Sequence, residues 1–162
     1  MKRLLPMLMV FWVFLGSAGE SWSADFDKGL NAARIGDFAT ALSEWKPLAE
    51  QGDATAQINL GVMYEDGKGV SRDYESAVKW YKLAAEQGDV RAQINLGLMY
   101  AKGAGVIQDS VYAHMWSNIA ASTGDKDAVS NRDIVANQMT PADISAAQKL
   151  ARECVRKKYK GC

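Results

Sequence analysis

The chain has 162 residues, 19 basic against 19 acidic side chains, 48% hydrophobic residues, three prolines, two cysteines and one histidine. The charge balance excludes the basic surface of a nonspecific nucleic-acid binder, so no nucleic-acid partner is expected, and the apolar share excludes a disordered or collagen-like chain. Two cysteines and one histidine are too few for a Cys/His zinc site of about four ligands, and no metal or cofactor is expected.

Lys2 and Arg3 precede an uncharged apolar run over residues 4–15, and Gly16, Ser17, Ala18 and Gly19 follow before the first acid, Glu20. This is the order of a secretory signal peptide, with cleavage at a small residue between positions 18 and 24. As a helix the run covers about 18 Å, short of the roughly 30 Å hydrocarbon core, which makes a retained anchor the weaker alternative. Residues 1–24 are set apart as a signal segment, and the remainder is expected to be exported, to the periplasm or the medium, without stable membrane insertion.

Residues 25–52 read as a helical hairpin: Gly36-Asp37-Phe38 makes a short turn, and Ala41, Leu42, Trp45, Leu48 and Ala49 form an apolar stripe after it. Two longer units follow, 53–88 and 89–124. Sliding the sequence by 36 positions aligns 54–89 with 90–125 and makes 18 of 36 pairs identical. A period of this length marks stacked supersecondary units. Leu60, Met63 and Tyr64 lie three and four apart, and Ala77, Trp80, Ala84 and Ala85 recur at i, i+3, i+7 and i+8, so each unit is a pair of amphipathic helices. Gly61 and Gly97 fall inside the first helix, where glycine costs about 1 kcal/mol. A close helix crossing compensates for that cost, with Trp80 or Trp116 expected beside the glycine. Gly67-Lys68-Gly69-Val70 and Gly103-Ala104-Gly105-Val106 break the helices, Asp73 and Asp109 cap the next ones, and Gly88-Asp89 and Gly124-Asp125 close each unit.

These residues resemble the Sel1-like repeat, a relative of the tetratricopeptide repeat: Leu60-Gly61-Val62-Met63-Tyr64, Gly67-x-Gly69-Val70, Asp73, Ala77, Trp80, Ala84-Ala85 and Gly88, recurring at Leu96 to Gly124. The 25–52 hairpin resembles an ordinary tetratricopeptide unit. The resemblance implies an all-α fold, a short right-handed α/α solenoid that serves as a protein-interaction scaffold and is rarely an enzyme. Residues 125–162 are expected to form a C-terminal helical cap of two helices, the second opened by Thr140-Pro141-Ala142-Asp143 and facing the core with Ile144, Ala147, Ala151 and Cys154. Eight helices are expected in all.

Few residues offer chemistry. Export favours a Cys154–Cys162 disulfide over two free thiols, but a continuous helix would hold those Cα atoms about 12 Å apart, so the chain must reverse near residue 158. His114, the sole histidine, aligns with Val78 at a variable position and reads as a surface or boundary residue. Ser43-x-x-Lys46 and Ser76-x-x-Lys79 match the first motif of serine β-lactam enzymes, whose companion motifs Ser-Asp-Asn and Lys-Thr-Gly do not occur. The six bases between Lys149 and Lys160, against Glu153, read as a solvated helix face, with an anionic membrane or acidic partner as the alternative.

In tetratricopeptide-like solenoids the first helix of each unit lines a concave groove. Carrying that register over puts Phe26, Leu30, Thr55, Ile58, Asn59, Val62, Arg91, Ile94, Asn95 and Leu98 in the groove. Asn59, Arg91 and Asn95 resemble the clamp that grips a peptide's terminal carboxylate, although Phe26 stands where such clamps carry a lysine. The alternative is that the asparagines bond between helices and the apolar positions are core. The expected function is binding of a protein or peptide in this groove, without catalysis. Its rivals are a serine-dependent hydrolase or binder of β-lactam or cell-wall substrates, and a structural subunit of an envelope complex.

Overall fold

The computed structural model describes residues 24–162. The signal-peptide reading of residues 1–24 therefore lies, but for Ala24, outside the described residues.

Eight helices follow one another: α1 (Phe26–Arg34), α2 (Phe38–Glu50), α3 (Ala54–Asp66), α4 (Tyr74–Ala85), α5 (Val90–Lys102), α6 (Ser110–Ala121), α7 (Lys126–Ala136) and α8 (Pro141–Arg156). An aspartate caps each of the first seven, at positions 25, 37, 53, 73, 89, 109 and 125. Its carboxylate accepts first-turn N–H groups that the helix leaves orphaned, and its charge suits the positive helix end; each cap contributes about 1 kcal/mol. Gly67 and Gly103 end α3 and α5 in the left-handed conformation at φ 72° and 66°.

From α1 to α7 each helix packs on its successor, the signature of an α/α solenoid. Glycines permit the closest crossings, but their neighbours differ from the expected Trp80 and Trp116. A Cβ on Gly61 would fall 2.3 Å from the Tyr81 ring, and one on Gly97 would lie 3.0 Å from Ser117 Oγ. The first hairpin has the same device, with Gly29 under the Trp45 indole. Trp45, Tyr81 and Ser117 thus occupy one structural position, and the tryptophans at 80 and 116 lie one residue earlier, on a neighbouring stripe. The second glycine of each Gly-x-Gly turn also joins units. A Cβ on Gly105 would approach the Tyr74 carbonyl oxygen to 2.3 Å, and one on Gly69 would approach the Phe38 backbone to 2.9 Å, so each turn rests on the start of the preceding unit's second helix.

Buried glutamines bridge consecutive units. The Gln57 side-chain amide donates to the Ala49 carbonyl (3.0 Å), Gln93 repeats this toward Ala85 (3.4 Å), and Gln57 also accepts from the Gln87 amide (2.8 Å). Each bond from Gln57 or Gln93 to a carbonyl gives a second donor to a helix-end group that already accepts a backbone N–H, from Gly52 or Gly88, and ties consecutive units together.

The cap departs from the repeat. Helix α8 packs on α6 instead of forming a hairpin with α7, burying Ala147, Ala151 and Cys154. Cys154 and Cys162 are bonded, with Cα atoms 5.6 Å apart. The reversal this requires runs through Lys158 and Tyr159, both at positive φ (51° and 65°), and through Gly161 (66°). The returning loop reaches the α4–α5 turn, where Tyr159 covers Gly88 and the Gly161 N–H donates to Glu86 Oε1 at 3.3 Å.

Candidate functional site

The first helices α1 and α3 leave a cleft of about 330 Å³ between them, open to solvent. Leu30, Ala33, Val62 and Met63 form its apolar wall, Asn59 supplies an amide, and Arg34 and Lys68 stand at its edge. Helical spacing explains the convergence. Leu30, Ala33 and Arg34 share one face of α1, Asn59, Val62 and Met63 one face of α3, and the Gly67-Lys68-Gly69 turn brings Lys68 back over the Phe38 ring at 5.9 Å from its centroid. Arg34 forms no ion pair among the described residues, whereas Lys68 is paired with Asp66 at 2.8 Å.

Of the ten groove residues read from the sequence, the cleft brings together Leu30, Asn59 and Val62. Phe26 stacks at a tilt on Trp45, ring centroids 5.9 Å apart, and the Trp45 indole N–H donates to the Phe26 carbonyl. Ile58 is only 4% exposed and belongs to the central core, so it presents no side chain to a ligand. Ile94 packs against Ala120, Ala121 and Ala128. Thr55 and Leu98 are half-buried.

Of the three clamp-like residues, Asn59 lines the cleft and Arg91 and Asn95 do not. Arg91 is mostly exposed and sits 3.6 Å from its own helix cap, Asp89. Asn95 lies beside the Tyr81 hydroxyl, which donates to Glu65 Oε2 at 2.7 Å. Burial raises the Tyr81 phenol far above its ordinary range, and the Glu65 carboxylate adds to the shift, so this hydroxyl stays protonated and donating. Arg34, Ala33, Phe38 and Lys68 line the cleft without being among the groove residues read from the sequence. Arg34 was legible one helical turn after Leu30, while Lys68 reaches the cleft only through its turn.

At the other candidate sites the hydroxyls serve local structure. Ser43 Oγ donates to the Thr40 carbonyl (2.8 Å) and Ser76 Oγ to the capping Asp73 carboxylate (2.6 Å). Neither bonds to the lysine three residues on.

His114 is not at the surface. It is 2% exposed and its Nδ1 has no hydrogen-bond partner. Burial lowers the imidazole below its ordinary range, Arg132 on α7 lowers it further, and Asp133 opposes this weakly. The folded state therefore holds His114 neutral, while the unfolded chain takes up a proton below about pH 6.5, so stability is lost as pH falls through that value. Thermal unfolding between pH 7.5 and 5 is expected to show this loss, and His114→Val, the residue of the preceding repeat, is expected to shrink it. Asp37, Glu44 and Asp73, all held below their ordinary range by hydrogen bonds, lose their stabilising charge only at lower pH.

Stacked hairpins with adjacent-helix packing define the class, an α/α solenoid. Within it, residues 54–89 and 90–125 each match the Sel1 repeat family, so the chain carries two tandem Sel1 repeats. The fold is similar to a protective antigen present in uropathogenic Escherichia coli strains and displaying an SLR fold (29% identity, TM-score 0.76, 81% of this chain and 30% of that one). It is also similar to a Sel1 repeat protein from Oxalobacter formigenes (32% identity, TM-score 0.64, 67% of this chain and 44% of that one). The chain thus spans less than half the length of either structure. No curated protein matches it. Sel1 repeats generally act as protein-interaction scaffolds.

Proposed function

We propose that the protein is an exported scaffold that binds a protein or peptide segment in the cleft between α1 and α3. The observation that carries this reading is the convergence of an apolar wall, the Asn59 amide and the exposed Arg34 guanidinium in a solvent-open cleft of about 330 Å³. An apolar wall with a few convergent polar groups is the usual composition of a recognition site. Arg34 favours an anionic group on the ligand, because charge-assisted bonds to a guanidinium are the strong ones. Export rests on the signal-like N-terminal sequence and agrees with the disulfide, a bond that persists in oxidising compartments. Among the described residues no helix is long and apolar enough to cross a membrane.

The test is capture of a stoichiometric partner from a cell-envelope extract on immobilised protein. Arg34→Glu combined with Asn59→Ala is expected to lower capture about tenfold or more while circular dichroism stays unchanged. Arg91→Ala is expected to leave capture intact. Equal capture by the double variant would remove the cleft from the binding surface.

A further inference from the structure

A second concavity lies elsewhere, on the side of the second helices. It is a trough of about 670 Å³ between α6 and α8. Ile119 and Ala151 contribute to its floor, Val155 stands at its edge, and Lys149, Arg152 and Arg156 stand along the α8 side. Its one acid, Glu153, meets Arg156 only at 4.0 Å, and the Arg156 side chain remains 75% exposed, so the positive charge is not neutralised among the described residues. Lys157, Lys158 and Lys160 continue the same sign beyond the helix.

The repeat shows what is unusual here. In the preceding unit Lys82, Leu83 and Glu86 occupy the places that Asn118, Ile119 and Ser122 take in α6. A face that carried two charges around one aliphatic residue has become uncharged around an aliphatic residue of the same size. Docking of α8 accounts for part of that change, but it leaves Val155 47% exposed at the edge of the trough. An apolar floor beneath a basic rim selects an occupant with apolar side chains on one face and carboxylates beside them.

Among the described residues Ile35 and Ile107 are exposed in the connections between helices and not on an amphipathic helix, and the helices offer no such complement. Residues 1–23 carry two bases and one acid around an apolar run, the wrong sign. In a second copy, the exposed apolar residues of α4, Tyr74 and Leu83, stand on a helix with Lys79 and Lys82, and Ile134 of α7 adjoins an Asp133 already paired with Arg132 at 2.7 Å. We propose that the α6–α8 trough is a second docking site, which takes an acidic amphipathic segment of another protein. It stands independently of the cleft between α1 and α3, because the two share no residue.

Fluorescence anisotropy with a labelled synthetic helical peptide tests this, the peptide carrying leucine on one face and glutamate on the other. The wild-type protein is expected to bind it, with affinity falling as salt rises. Arg152→Glu with Arg156→Glu is expected to weaken binding about tenfold or more, and Val155→Asp to weaken it as well, each with unchanged circular dichroism. Arg34→Glu, in the other cleft, is expected to change nothing. The proposal falls if the lysine-for-glutamate peptide binds equally well or if the α8 variants bind like wild type. It falls too if the wild-type protein binds phosphatidylglycerol vesicles and not the peptide, which would make the basic face a lipid surface. A concentration-dependent dimer in sedimentation, abolished by the α8 variants, would likewise overturn it in favour of a second copy.

Discussion

Gly61→Ala is expected to destabilise the fold by about 3 kcal/mol, at the upper end of overpacking costs, whereas Gly97→Ala should change stability by less than about 1 kcal/mol. Both glycines lie in the first helix of a Sel1 repeat and both gain about 1 kcal/mol of helix propensity on becoming alanine. What differs is the wall opposite. The Tyr81 ring would stand 2.3 Å from the new methyl at position 61, and it cannot swing away, because it is fully buried and its hydroxyl is held by Glu65. At position 97 the nearest atom is Ser117 Oγ at 3.0 Å, followed by the Ala113 carbonyl at 3.2 Å, a contact relieved by a few tenths of an ångström. Chemical denaturation followed by circular dichroism measures both. Repeating Gly61→Ala in a Tyr81→Ser background should reduce its cost toward that of Gly97→Ala, since the two changes meet at one contact. Equal costs in both backgrounds would show that the ring does not set the crossing distance.

The second large effect is expected at Trp116. Trp116→Ala should cost about 3–5 kcal/mol, the range for truncating a buried aromatic side chain, and Trp80→Ala about half as much. Trp116 is 1% exposed in the central core with Leu96, Met99 and Ile119, while Trp80 is half-buried against the N-terminal core. The same denaturation experiment distinguishes them. A smaller loss at 116 than at 80 would contradict the assignment of the central core as the better-packed region.

The fold was legible because repetition states the same constraint twice. The caps at Asp73, Asp89, Asp109 and Asp125 and the turn glycines have one physical solution each, and they were visible as short polar or flexible punctuation between apolar stripes. The glycine partners were not, for an instructive reason. Trp80 and Trp116 drew attention by being identical, but the residue touching the glycine is the variable one, Tyr81 or Ser117, since a different side chain fills the same gap in each unit. His114 was misplaced similarly. Its counterpart, Val78, is half-buried, and nothing local announces that α7 will cover a histidine.

The docking of α8 did leave a signal. Ser76, Lys79 and Leu83 become Tyr112, Met115 and Ile119 in the second repeat, so an outer face turns apolar where something must cover it. Comparing the differences between the repeats, and not only their identities, would have exposed that surface. Of the groove positions read from the sequence, Leu30, Asn59 and Val62 line the cleft between α1 and α3. Helical register alone does not distinguish a side chain facing the ligand from one closing the interface behind it, as Ile58 does. Arg34 and Lys68 belong to the atypical first unit and to a turn, where the carried-over register has no place for them.

The return of the tail onto Glu86 and Gly88 changes how the molecule should come apart. An ordinary stack of hairpins frays from whichever end has fewest neighbours, one module at a time. Here the final loop, closed into a covalent ring, is anchored 75 residues back along the chain, beside the junction of the two Sel1 modules. Losing the last helix therefore uncovers the middle of the stack, and denaturation is expected to be a single cooperative event from that side, with peeling left to the opposite end.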